Sequence, residues 1–129
     1  MVPLKRRIMA RILKPLLPKR GELYLTDFEP SVGAEIRKIR PALIIQDDTL
    51  NQYSPLVTVA ALSSKTDNKL YPFEVLLSAK ESGLPKDSLI LLNQIHSFDK
   101  VRLIKKLGSV GQDVLAKVDD ALKISLGMA

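Results

Sequence analysis

The sequence predicts a mainly β domain, a small antiparallel barrel or sandwich closed by a C-terminal helix. Three observations carry this. Five or six short apolar runs, several of them rich in β-branched residues, follow one another with no room for long helices between them. Turn residues such as Pro30, Gly33, Asp47, Asp48, Asn51 and Pro55 separate these runs. Near the end of the chain the period changes, and Val110, Val114, Val118, Leu122 and Leu126 recur at helical spacing. With 129 residues, 46% of them hydrophobic, the chain can build one core and bury roughly two thirds of its unfolded surface.

Taken in order, residues 1–19 form a basic arm. Leu4, Ile8, Ile12 and Leu16 fall four apart with Arg7, Arg11 and Lys14 opposite, an amphipathic helical pattern ended by Pro15 and Pro18. Packing against the body, a membrane surface or a nucleic acid are the roles open to it. Residues 20–129 are the folded body. "GELYLTDF" (21–28) alternates as a strand does, and "EPSVG" (29–33) is turn chemistry. "PALIIQDD" (41–48), "PLVTVAALS" (55–63), "YPFEVLLS" (71–78) and "SLILLNQIH" (88–96) read as further strands, with "RLIKKLGSV" (102–110) a weaker, mixed one. Ser109 with Gln112 makes a capping-box pair ahead of a helix over roughly 110–126, and Gly127 stands where a C-terminal cap glycine belongs.

Charge and residue types narrow the chemistry. The net charge of +6 is concentrated in the first twenty residues, which carry seven cations and no acid. The rest of the chain is nearly neutral, so local clusters matter more than the high pI. Without cysteine there are no disulfides or thiolate ligands, and the single histidine, His96, cannot build a histidine-rich metal centre. No cofactor or metal is expected. The apolar runs are too short to span a bilayer. Any catalysis must use arginine, carboxylate and hydroxyl groups.

One such set sits around "EIRKIRPALIIQDD" (35–48). Pro41 fixes its own φ and holds Arg40 extended at the mouth of a strand. An arginine in that position is ordinarily a surface charge, but two neighbours argue otherwise. Glu35 lies five residues earlier on the glycine-containing loop. If strands 41–48 and 55–63 pair antiparallel, Ser63 at the end of the second meets Arg40 at the start of the first. A guanidinium, a carboxylate and a hydroxyl on one rim can bind and polarise a phosphodiester.

The ordered combination Arg20-Gly21-Glu22-Leu23-Tyr24, Phe28, Pro30-x-x-Gly33-x-Glu35 and Arg40-Pro41 resembles the MazF/PemK family of bacterial toxins, as do "VTVAALSS" and "SLILLNQIHSFDKVRL" further on. The resemblance runs from Arg20 to the final helix. It implies an SH3-like barrel and a homodimer in the cytoplasm. It also implies a sequence-specific, metal-independent endoribonuclease that cuts single-stranded mRNA and is inhibited by a cognate antitoxin. Arg40 is then the central catalytic residue, assisted by Ser63 and Glu35. In such a reaction the ribose 2′-hydroxyl attacks the adjacent phosphate, Arg40 stabilises the added charge, and Glu35 is the more natural base, although the residues leave the base open.

RNA contacts are expected from Lys38, Asn51 and Lys65 on loops around the groove, and from Asn93, Gln94, His96 and Arg102 in "NQIHSFDKVR". For His96 the competing reading is a strand-end histidine satisfied by backbone. With three tyrosines and three phenylalanines in the chain, recognition is expected to lean on hydrogen bonds from Asn51, Asn93, Gln94 and the backbone. Two departures from the family pattern stand out: serine replaces the usual threonine at 63, and histidine stands at 96 where arginine or lysine is frequent. The alternative reading is a non-catalytic member of the same barrel family, either a gyrase-binding poison or a nucleic-acid-binding module. The ending "KISLGMA" and the presence of Glu35, Arg40 and Ser63 favour the ribonuclease.

Overall fold

The computed structural model describes residues 17–64, 67 and 69–128. The helical reading of the arm therefore lies outside the described residues except at 17–19, and so does Lys65. Six strands form one antiparallel sheet: β1 (Glu22–Asp27), β2 (Ile39–Ile44), β3 (Leu56–Ser64), β4 (Glu74–Leu77), β5 (Ser88–Asp99) and β6 (Leu103–Ser109). Their order across the sheet is β4-β5-β3-β2-β1-β6. All of the expected strands are present.

Neighbouring residues on a strand go to opposite faces, and here both faces are buried. Leu23, Leu43, Ala60, Leu62, Val75, Leu77, Ile90 and Leu92 pack beneath the C-terminal helix α3 (Gln112–Ser125), against its Val114, Val118 and Ala121. Their strand neighbours Tyr24, Ala42, Ile44, Val57, Val59 and Ala61 join Phe28 and Leu103 in a second cluster, which Ile36 and Phe98 cover. The curled sheet thus has a helix on one side and the 28–38 loop on the other. No helix among the described residues is long and apolar enough to cross a membrane.

Helix α3 confirms the expected ending but corrects the expected start. Gly127 has φ +71°, its N–H bonds to the Ile124 carbonyl, and the Met128 N–H reaches back to the Lys123 carbonyl at 2.7 Å. That paired closure needs a residue tolerant of the left-handed conformation, and glycine is the one without a penalty. The Ser109–Gln112 capping box does not form, because Ser109 is still in β6, paired with Glu22, and Gly111 caps the helix without a side-chain bond. Two short helices were not anticipated. In α1 (Asp48–Tyr53), Asp47 caps the Thr49 N–H; in α2 (Ala79–Ser82), Ser78 caps the Glu81 N–H and Gly83 closes the turn at φ +76°.

Candidate RNA-cleaving site

The register Ala42↔Ala61, Leu43↔Ala60 and Ile44↔Val59 between β2 and β3 brings the start of one strand to the end of the other. Arg40 and Ser63 both line a cavity of about 280 Å³, together with Pro41, Leu62, Ser64, Leu84, Pro85, Lys86 and Ser88. Arg40 and Ser63 therefore share one cavity, as the antiparallel β2–β3 pairing leads one to expect. Lys86 and Ser88 were not anticipated. They arrive because α2 and the turn after Gly83 fold over this end of the sheet, and the Ser78, Glu81 and Gly83 spacing was the available signal.

Arg40 is held from its own loop. Lys38 adopts φ +67°, an uncommon conformation for a side-chain-bearing residue. Glu29 secures it: its carboxylate accepts the Lys38 N–H at 2.8 Å, and the Phe28 N–H closes the loop on the Lys38 carbonyl at 3.0 Å. The Lys38 N–H bond holds the Glu29 carboxyl below the usual carboxylate range. One residue before this kink, the Arg37 carbonyl accepts Arg40 Nε at 2.9 Å. The terminal guanidinium nitrogens of Arg40 make no hydrogen bond among the described residues. Lys38 itself stays exposed.

Gln94 fastens the same loop from the sheet. Its Oε1 accepts the Ile36 N–H at 3.2 Å and its Nε2 donates to the Ala34 carbonyl at 3.4 Å. The side chain can do so because β5 bulges. Ala60 pairs with Ile95 but Ala61 with Leu91, so residues 92–94 have no partner on β3. Bulges of this kind redirect side chains beside functional sites. Asn93 and Gln94 line a second cavity of about 350 Å³, which shares Ser63 and Ser64 with the first. The two cavities thus adjoin at Ser63 and Ser64, with Arg40 lining the first and Asn93 and Gln94 the second.

The remaining expected residues divide. Glu35 is exposed and accepts the Val32 N–H; its charge bears on His96, and it forms no ion pair with Arg40 among the described residues. The expected pairing of Glu35 with the guanidinium is thus not made among the described residues, and its neighbours Ala34 and Ile36 are pinned to Gln94 of β5. His96 is in the interior of β5 instead of at a strand end, half-buried between Phe28 (ring centroids 5.1 Å apart, edge-on) and Phe98 (6.1 Å). Its Nε2 is buried without a hydrogen-bond partner. Arg102 lies over the Phe98 ring, 5.8 Å from its centroid.

Asn51 requires a plain correction. It sits in α1 and not on an open loop, is 1% exposed, and has its amide occupied. Its Nδ2 donates to the Gln46 carbonyl and to Asp48, and its Oδ1 accepts from Gln46. No side-chain group of Asn51 is left for a base. Arg20, which begins the motif, has a structural job: Nε donates to the Ile45 carbonyl and the guanidinium pairs with Asp119 of α3 at 2.5 Å.

His96 gives a pH prediction. Burial lowers its pKa below the ordinary 6.5, with Glu35 opposing that shift. The unfolded chain therefore binds a proton that the folded chain resists, so the contribution is complete above about pH 6.5 and is lost as pH falls below it. Thermal melts between pH 7.5 and 5 are expected to show wild type losing stability relative to His96→Phe on the acid side. Parallel curves would remove histidine from this role.

Residues 19–126 match the family model of the PemK-like, MazF-like toxin of type II toxin–antitoxin systems. Over 113 residues the chain is 41% identical to "Endoribonuclease EndoA" of Bacillus subtilis (strain 168), covering 88% of this chain and 97% of that protein. Its fold is similar to the crystal structure of MazF from Deinococcus radiodurans, with a TM-score of 0.75 at 32% identity over 88% of this chain and 99% of that one. A MazE-MazF crystal structure from the same organism matches with a TM-score of 0.70 at 31% identity, over 88% of this chain and all (100%) of the other. By family match, identity and fold together, this chain belongs to the PemK-like, MazF-like toxins of type II toxin–antitoxin systems.

Proposed function

We propose that this chain is a sequence-specific endoribonuclease that cuts single-stranded mRNA without a metal, as the toxin of a toxin–antitoxin pair. The observation that carries this is the convergence of Arg40 and Ser63 on one cavity of the groove. The 2′-hydroxyl of the substrate supplies the nucleophile. As its oxygen bonds to phosphorus, the phosphate gathers charge, and a guanidinium with a hydroxyl donor beside it lowers the energy of that arrangement. The P–O5′ bond then breaks, leaving a 2′,3′-cyclic phosphate (or its 3′-phosphate product) and a 5′-hydroxyl. Lys86, on the same rim, adds positive potential for the phosphodiester.

For the group that accepts the 2′ proton, a carboxylate such as Glu35 is a more natural base than arginine, and the family resemblance implicates the same residue. Lys38, Asn93, His96 and Arg102 are assigned to the RNA side of the groove, and Lys65 with them; Gln94 contributes by holding the loop that bears Glu35. The family resemblance supports a cytoplasmic homodimer whose groove is blocked by a cognate antitoxin. The basic arm (residues 1–19) is assigned a peripheral role, so deleting residues 1–18 is expected to leave cleavage and dimerisation intact.

The decisive measurement is mapping cut ends on a transcript pool in the presence of a chelator. Cleavage at a recurring short word with 5′-hydroxyl ends is expected; intact RNA, or cutting only on adding metal, would refute the reading. Ser63 gives a graded test. Ser63→Ala removes one donor to the developing charge and is expected to lower kcat by about a hundred-fold, the lower end of the range for such donors. Ser63→Thr keeps the hydroxyl and is expected to restore activity; equal loss in both variants would make Ser63 a packing residue.

A further inference from the structure

Beyond the groove's phosphate chemistry lies a pair of aromatic rings that the proposed reaction does not use. Tyr71 and Phe73 stack with centroids 5.6 Å apart and planes 6° from parallel. Both line the 350 Å³ cavity that holds Asn93 and Gln94 and shares Ser63 and Ser64 with the Arg40 cavity. Tyr71 is 50% exposed, although large apolar rings in a small domain are ordinarily covered. Phe73 stacks parallel to one face of the tyrosine, and half of Tyr71 stays exposed.

The pair is fixed from behind. The Tyr71 N–H donates to the Glu74 carboxylate at 3.0 Å, and the Glu74 N–H returns to the Tyr71 carbonyl at 2.9 Å. The Phe73 carbonyl accepts the Leu92 N–H at 3.0 Å, which ties the stack to the bulge carrying Asn93. Asn93 is exposed, and its amide makes no hydrogen bond among the described residues. An open aromatic face, preset in orientation, next to a free amide with both donor and acceptor, has the composition of a site for a flat heteroaromatic ring with polar edges.

We infer that the open face of Tyr71, backed by Phe73, is a nucleobase-stacking subsite that takes one unpaired base of the RNA, with Asn93 reading its edge. This rests on the ribonuclease reading and adds to it a determinant of the recognised word. Hydrogen bonding alone, which the sparse aromatic content suggested, then gives way to stacking plus one amide. Stacking supplies affinity for any base, and the amide selects among them.

The test uses the full chain with Tyr71→Phe, Tyr71→Leu and Tyr71→Ala, each checked by its melting midpoint. Leucine keeps apolar bulk and loses the π face; phenylalanine keeps the face and loses the hydroxyl. On a transcript pool, Tyr71→Leu and Tyr71→Ala are expected to raise KM about tenfold or more, within the span of about 5- to 150-fold that one stacked base gives. Their kcat should stay close to wild type, and the preference at one nucleotide of the word should flatten. Tyr71→Phe is expected to behave as wild type. Unchanged KM and an unchanged word in Tyr71→Leu would overturn the subsite.

Binding separates this outcome from failure of the nuclease reading. A random-sequence RNA pool is titrated against Arg40→Ala and against Arg40→Ala/Tyr71→Leu. If wild type cuts nothing, the nuclease assignment falls, yet a tenfold affinity gap between these two proteins still upholds base stacking. Equal affinities overturn it.

Discussion

Arg40→Ala is expected to lower the rate of RNA cleavage by at least 10²–10³-fold, the loss that follows removal of one donor to a developing oxyanion. The size of the effect comes from where the charge appears. Attack by the 2′-oxygen turns a phosphodiester of charge −1 into a species approaching −2, and the guanidinium is a permanent cation on the rim where Ser63 also lies. Arg40→Lys keeps the charge but replaces a planar fork with a single ammonium, so partial activity is expected, well below wild type. Stability should hardly move. Arg40 is half-exposed, and its side chain makes one bond to the Arg37 carbonyl, worth about 1 kcal/mol or less. Equal melting midpoints with lost cleavage would support a chemical role. Unchanged cutting by Arg40→Ala would sink the assignment.

Why Arg40 was legible in the sequence, and Asn51 was misread, is a matter of range. Pro41 restricts Arg40 through local sterics, and the pairing of two neighbouring strands then carries Ser63 to it; neither step needs distant information. Asn51 sits among Asp47, Asp48 and Pro55, which read as a turn. The cap supplied by Asp47 and the burial of Asn51 against Gln46 and Asp48 make a short helix of it, and burial depends on the tertiary fold. Glu35 was placed near Arg40 on sequence distance alone. The loop that carries it is held by Gln94, fifty-eight residues from Ile36 in the chain, through a bulge that leaves little trace in an alternating pattern.

The same limit explains the second cavity. Tyr71 and Phe73 precede β4 with the spacing of an ordinary strand, so they read as sheet residues. Their stacking in the groove follows from the turn at 72–73 and from the Phe73–Leu92 bond, a contact between segments. The 28–38 loop, the β5 bulge and the aromatic pair are therefore one mechanical unit, joined by Gln94 on one side and Leu92 on the other. Arg40 and Ser63 sit beside it, on the paired strands β2 and β3.

Leu92→Ala is expected to be the most destabilising of the variants considered, costing about 2–5 kcal/mol. Leu92 is fully buried at 0% exposure, in the cluster beneath α3. Truncating it removes transfer energy and leaves a cavity that a close-packed sheet fills only in part. Its backbone raises the stakes. The bulge takes Leu92 out of register with β3, so its polar groups find partners elsewhere: the N–H on the Phe73 carbonyl, and the carbonyl on the Ser125 hydroxyl at 2.7 Å. The side chain thus anchors the point at which helix, aromatic pair and bulge meet. Against a typical domain stability of about 5–15 kcal/mol, the variant should remain folded at low temperature but melt far earlier. Where it is folded, cleavage is expected to fall through a raised KM, because Asn93 and Tyr71 lose their fixed positions while Arg40 and Ser63, held by the β2–β3 pairing, do not. A lower kcat at unchanged KM would place the bulge's influence on the chemistry of the rim instead.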